Sequence, residues 1–125
     1  MSSDGVKTVL VVDDETMVSE MLARYLKREG FQCAAAKDSD TTLAALAQAK
    51  VDAILLDIGL GDEDGFDLLK KIRDQYPGVP VVMLTALGYD EKAMEEALEL
   101  GASGYLSKTA DVSEVGVAIR RVLGH

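Results

Sequence analysis

Three aspartates, a threonine and a lysine each stand directly behind an apolar run, and these residue types together could handle a phosphate group. Asp13 and Asp14 follow Val9–Val12, Asp57 follows Ala53–Leu56, and Thr85 follows Val81–Leu84. Lys108 lies two residues past Gly104–Leu106. If the first and third runs are neighbouring strands, Asp57 joins the aspartate pair. Carboxylates that close repel one another, and only a bound cation or shared protons relieve them. An all-oxygen site without His or Cys favours Mg²⁺ or Mn²⁺ over zinc. Mg²⁺ in turn prefers one or two carboxylates, several waters and a substrate phosphate. Lys108 supplies a flexible point charge for a phosphate oxygen, and the Thr85 hydroxyl and Ala86 backbone amide offer further donors. The plain alternative is that the aspartates cap the next helix and Lys108 is solvated. Capping accounts for Asp14 at most; it requires neither the pair nor Asp57.

The elements that must position these residues are readable from periodicity. Val9–Val12, Ala53–Leu56 and Val81–Leu84 are short apolar runs without alternation, as suits parallel strands covered on both faces. Residues 31–36 read as an edge strand and 104–106 as a short fifth strand. Helical spacing over 15–29 puts Met17 or Val18, Met21, Leu22, Tyr25 and Leu26 on one stripe, stopped by Gly30. Ser39 is a candidate cap for a helix carrying Leu43, Leu46 and Ala47. Residues 66–76 present Leu68, Leu69 and Ile72 and end before Pro77. Residues 90–100 are capped by Asp90, stopped by Gly101, and turn Ala93, Met94, Ala97 and Leu98 inward. Asp111 or Ser113 opens a last helix to Leu123 with Val115, Ile119 and Val122 as its apolar face. Gly116 within it costs about 1 kcal/mol in helix propensity, which implies a less rigid helix. Five βα units with short connections and right-handed crossovers give a parallel sheet with helices on both faces. In such a sheet, ligands bind beyond the carboxyl ends of the strands, where all five residues above are placed.

Composition narrows the function. The 125 residues suit one domain over 1–125, with a core of about 7–123. Net charge is −9 without a cluster of Lys or Arg, which disfavours direct binding to nucleic acid or to an anionic membrane. Cys33 is the only cysteine and reads as a small buried apolar residue, so neither an intramolecular disulfide nor a thiolate cluster is expected. With no signal peptide and no run long enough to span a bilayer, a cytoplasmic location is expected. His125, the only histidine, is terminal, which excludes a Ser-His-Asp triad within the fold and a multi-histidine metal site.

Read in order, these motifs resemble the receiver domains of two-component response regulators, of the chemotaxis-regulator type. The resemblance is carried by Val9–Glu15, by Asp57-Ile58-Gly59-Leu60-Gly61-Asp62-Glu63-Asp64-Gly65, by Thr85-Ala86 and by Gly104–Lys108. It covers essentially the whole chain and implies a flavodoxin-like (βα)5 fold of strand order 2-1-3-4-5. It further implies that Asp57 takes a phosphoryl group from a phosphohistidine of a histidine kinase or histidine phosphotransfer protein. Asp14, Asp57 and the Gly59 backbone carbonyl would hold Mg²⁺, with Asp13 acting through water, and Lys108 would pair with the phosphate. Thr85 would move toward the phosphoryl group and Tyr105 would rotate inward. A protein partner would read the change on the fourth helix, fifth strand and fifth helix. Such a chain is no enzyme beyond its own phosphotransfer and slow dephosphorylation.

Two departures from the family pattern stand out. Gly61 occupies the usual proline position four residues after the acceptor, and Thr109 follows Lys108 in place of a cis proline. A cis bond there would cost about 2.5–4 kcal/mol, so a trans Lys108–Thr109 bond, a different Lys108 loop path and a more mobile Asp57–Gly65 loop are expected. Two other readings compete. A haloacid-dehalogenase-type phosphatase would need a second aspartate where Gly59 stands, and a receiver-shaped scaffold would not need Asp57, Thr85 and Lys108. The start of the chain and the lack of a linker suit a stand-alone protein and equally a receiver cut from a longer regulator.

Overall fold

Strands without polar alternation must be covered on both faces, and two separate helical layers do this here. The computed structural model describes residues 5–86 and 90–124; His125 lies outside them. The elements run β1 (Thr8–Val12), α1 (Thr16–Arg28), β2 (Gln32–Ala36), α2 (Ser39–Gln48), β3 (Ala53–Asp57), β4 (Gly59–Leu60) and β5 (Glu63–Asp64). Then follow α3 (Gly65–Gln75), β6 (Val81–Thr85), α4 (Glu91–Glu99), β7 (Gly104–Ser107) and α5 (Val112–Val122). Five strands pair in parallel in the order β2-β1-β3-β6-β7. This is the expected 2-1-3-4-5 sheet once the small antiparallel hairpin β4–β5 is set aside.

Alternation along each strand divides the core. Leu10, Ile54, Leu56 and Met83 face Leu46 of α2, Leu68, Leu69 and Ile72 of α3, and Ala97 of α4. Val9, Val11, Leu55, Val82 and Leu84 face Leu22 and Leu26 of α1 and Val115 and Ile119 of α5. A fully buried Leu or Ile contributes about 1.5–3 kcal/mol relative to exposure, so these two layers are the main favourable term in the fold.

Several sequence expectations need correcting. Val18, Leu22, Tyr25 and Leu26 turn inward as expected, but Met17 is 84% exposed and Met21 49%. Leu98 of α4 is 48% exposed and Ala47 of α2 is also exposed. Periodicity locates the centre of an apolar stripe, while its width depends on how closely the neighbouring helices approach. The cap of α2 is Asp38 rather than Ser39. Its carboxylate accepts from the Thr41 amide at 2.9 Å, and the Thr41 hydroxyl returns the bond in a capping box. Gly116 is buried, and a Cβ there would lie 2.7 Å from the Tyr25 hydroxyl. The glycine therefore marks close packing of α1 on α5 rather than a loose helix.

The segment after Asp57 forms a short antiparallel hairpin. Gly61 at its apex has φ +65°, with Asp62 beside it, the backbone of a tight two-residue turn. Three hydrogen bonds tie the hairpin down. The Gly65 amide donates to Ile58 O at 2.6 Å, the Ser39 amide to Glu63 Oε1 at 2.7 Å, and the Phe66 amide to Asp64 Oδ1 at 2.9 Å. The Glu63 bond places a carboxylate at the amino end of α2, where the helix dipole favours it.

Candidate phosphoacceptor and metal site

Strand register decides which side chains meet. Val12 pairs with Leu56, so Asp13 and Asp57 leave the sheet side by side. Asp57 pairs with Leu84 and Thr85 with Ser107, which brings Thr85 and Lys108 to the same rim. The Lys108 amide donates to Thr85 O at 2.7 Å and fixes the start of the last loop. Carboxylate oxygens of Asp13, Asp14 and Asp57 all lie within 4.8 Å of one another. Asp13 and Asp57 are buried and Asp14 is exposed.

Lys108 is the counter-charge. Its ammonium lies 2.7 Å from Asp57 Oδ2, 2.9 Å from Asp13 Oδ2 and 3.4 Å from Glu15 Oε1. Burial opposes the lysine charge, but its bonds to Asp57 and Asp13 outweigh that and raise its pKa above the ordinary value. Burial raises the Asp57 pKa, the Asp13 charge adds to this, and the Lys108 bond pulls the other way. The Gly59 amide donates to Asp57 Oδ1 at 3.2 Å, and the Glu15 amide to Asp13 Oδ1 at 2.9 Å.

These groups border an open cleft of about 300 Å³ lined by Asp14, Glu15, Asp57, Ile58, Gly59, Thr85, Ala86 and Lys108. The structure thus brings together Asp14, Asp57, Gly59, Thr85, Ala86 and Lys108 in one cleft, with Asp13 buried beneath it. Gly61 of the hairpin apex approaches closely enough that a Cβ on it would lie 3.5 Å from Asp14 Oδ2. Tyr105 stands apart from the cleft. Its ring packs on the α2–α4 side of the core, and its hydroxyl is enclosed without a hydrogen-bond partner among the described residues.

The residue types fit a divalent cation. Three carboxylates converge, and the buried Asp13 Oδ2 has no partner among the described residues but the Lys108 ammonium. The Lys108–Thr109 bond is trans, as expected, since no described residue has a cis peptide bond. Ser107 and Thr109 share a 2.7 Å hydroxyl contact, and the Thr109 amide donates to Ser107 Oγ at 3.1 Å. Two features escaped sequence reasoning. Glu15 contacts Lys108, a pairing between residues 93 positions apart that no local pattern reveals. Met17 and Met21 are both exposed on α1, and Met21 also lines a small apolar cavity with Val18, Leu22, Leu84, Lys108 and Val112.

Residues 9–120 match the family of the response regulator receiver domain. The chain belongs to this family. It is 37% identical over 116 residues to the probable transcriptional regulatory protein TcrX of Mycobacterium tuberculosis, covering 93% of this chain and 49% of that protein. It is 39% identical over 117 residues to the transcriptional regulator NtrC of Proteus hauseri, covering 94% of this chain and 24% of that protein. This receiver chain therefore spans half or less of the length of these curated relatives. Among solved structures, chemotaxis protein CheY4 of Vibrio cholerae superposes with a TM-score of 0.87 at 30% identity, over 95% of this chain and all of that one. A response regulator of Burkholderia pseudomallei carrying a phosphorylated aspartic acid and a calcium ion superposes at 0.85 with 29% identity, over 94% and 69%. Among the described residues of this receiver, no helix is long and apolar enough to cross a membrane.

Proposed function

We propose that this receiver is a Mg²⁺-dependent phosphoacceptor switch charged at Asp57 by a phosphohistidine of a histidine kinase or phosphotransfer protein. The observation that carries this reading is the Lys108 ammonium bridging Asp57 and Asp13 inside a three-carboxylate cluster at the carboxyl edge of the sheet. The phosphorylated aspartic acid and cation in the Burkholderia relative support it.

An Asp57 carboxylate oxygen attacks phosphorus, the P–N bond to the donor imidazole breaks, and the imidazole leaves with its electron pair and takes up a proton. Asp57 attacks as the carboxylate, held in place by the Gly59 amide and the Lys108 ammonium. Asp13, Asp14, Asp57 and the Gly59 carbonyl would hold Mg²⁺ or Mn²⁺, which offsets negative charge as phosphate and carboxylate approach. Lys108 neutralises a phosphoryl oxygen, and the Thr85 hydroxyl and Ala86 amide donate to others. The chain catalyses only this transfer and the slow hydrolysis that returns Asp57 to the carboxylate and releases inorganic phosphate.

Phosphorylation adds about 1.5 to 2 negative charges and three strong acceptors beside Thr85. Movement of Thr85 toward them, with Tyr105 following, alters the α4–β7–α5 face. The exposed Leu98 of α4 and Val117 of α5 suit a protein partner there. The exposed Met17 and Met21 of α1, the helix that starts behind Asp14 and Glu15, suit contact with the donor. An acidic surface and no clustered base favour output through protein rather than nucleic acid, in the cytoplasm.

Incubation with Mg²⁺ and acetyl phosphate should add one phosphoryl group by mass, lost in Asp57→Asn. No adduct, together with no response to beryllofluoride, would leave a phosphorylation-independent scaffold; steady phosphate release from varied monoesters would indicate a phosphatase.

A further inference from the structure

Lys108 occupies the ground that a cation needs. Its ammonium sits within 3 Å of oxygens on two of the three convergent carboxylates, Asp57 and Asp13. A doubly charged ion brought among the same oxygens repels that ammonium, so it must give up at least one of the two contacts. The lysine side chain is 13% exposed and lines the small apolar cavity. Release of the whole side chain into bulk water would uncover that cavity, whereas a partner at the rim would not require it. One further carboxylate is within reach of the same nitrogen. Glu15 Oε1 lies 3.4 Å away, and its side chain is 65% exposed. Glu15 occupies the cap position of α1 but makes no side-chain capping bond there, so its carboxylate is not committed to the helix.

Resting on the metal reading above, we infer that Glu15 is the positioning residue that receives Lys108 when a divalent cation enters the site. In the metal-free protein the ammonium donates to Asp57 and, over a longer distance, to Glu15, and it is ion-paired with Asp13. As the cation takes Asp13 and Asp57, the ammonium shortens its bond to Glu15 and stays beside the cleft, where an incoming phosphoryl oxygen meets it. Glu15 therefore favours the metal-loaded state more than the empty one, and it acts only through Lys108.

Calorimetric titration of Mg²⁺ into the phosphate-free protein tests this without reference to activity. Exposed charge pairs are weak, so Glu15→Gln should weaken Mg²⁺ binding by about two- to fivefold. Glu15→Asp keeps the charge but retracts it by one methylene, and should weaken binding to a similar degree. In a Lys108→Ala background both effects should vanish, because the pair is then already broken. Wild-type affinity in Glu15→Asp, or a Glu15→Gln effect that persists without Lys108, would show that Glu15 contributes general negative charge and would overturn the handover. Undiminished affinity in Glu15→Gln would do the same. Absence of saturable Mg²⁺ binding in the wild type would defeat the metal reading itself, and the handover with it.

Discussion

A Cβ on Gly65 would lie 2.3 Å from the carbonyl oxygen of Asp57, closer than any side-chain carbon can approach. The contact arises because the chain leaves the sheet at Asp57, makes the β4–β5 hairpin and returns to start α3 directly against its point of departure. Gly65→Ala must therefore displace the acceptor backbone or the first turn of α3. Urea unfolding should show a loss of about 2 kcal/mol or more, the range of backbone strain at a constrained site. Phosphoryl uptake from acetyl phosphate should fall with it.

Lys108→Ala should separate metal binding from phosphotransfer. Without the ammonium, Asp13 and Asp57 face each other uncompensated, and stability in metal-free buffer should drop by about 3 kcal/mol. Mg²⁺ then meets no competitor, so calorimetry should show tighter binding, and added Mg²⁺ should restore part of the thermal stability. Acetyl phosphate labelling should nonetheless slow about a hundredfold, since the donor for the transferring oxygen is gone.

Tyr105 encloses a hydroxyl that bonds to none of the described residues. A buried polar atom without a partner is costly, and its removal is cheap. Tyr105→Phe should leave stability unchanged or raise it by up to about 1 kcal/mol, read by thermal unfolding of the unphosphorylated protein. A loss above about 1 kcal/mol would mean that the hydroxyl has a partner after all.

Cys33 predicts a pH response at the opposite end of the sheet. Burial pushes its thiol pKa above the ordinary value, with Lys27 pulling weakly the other way. The native state therefore keeps the thiol proton to higher pH than the unfolded chain does. Stability from this group is intact below the unfolded pKa and is lost as pH rises through the folded one. Iodoacetamide should react slowly near neutrality, and its rate should still be climbing at pH 9, where an ordinary thiol is already levelling off. Cys33→Ala should flatten the alkaline end of the stability profile.

The sheet and its rim were legible because they rest on local signals. Apolar runs mark β1, β3 and β6, and a parallel sheet forces their carboxyl ends together, so Asp13, Asp57, Thr85 and Lys108 could be assembled before any coordinate was known. What was not legible depends on distances between elements. Met17, Met21 and Leu98 fit a helical stripe, but the neighbouring helices do not reach far enough round to cover them. Gly116 looked like a weak point in α5 until Tyr25 was placed against it. Glu15 followed the aspartate pair in plain view, yet its contact with Lys108 exists only once β7 is docked beside the sheet's other strands. The hairpin was hidden for a different reason: the stretch between Asp57 and Gly65 is polar and glycine-rich, and such composition does not distinguish a free loop from a tight turn.

Gly61 has a consequence for how this sequence can change. Proline confines φ to about −65°, the opposite sign from the +65° that the hairpin apex adopts. A proline at this position is therefore incompatible with the turn, and Gly61→Pro would have to reshape the hairpin apex. Position 61 is closed to proline for as long as the hairpin keeps this apex, and any side chain placed there meets the left-handed backbone as well as the Asp14 carboxylate.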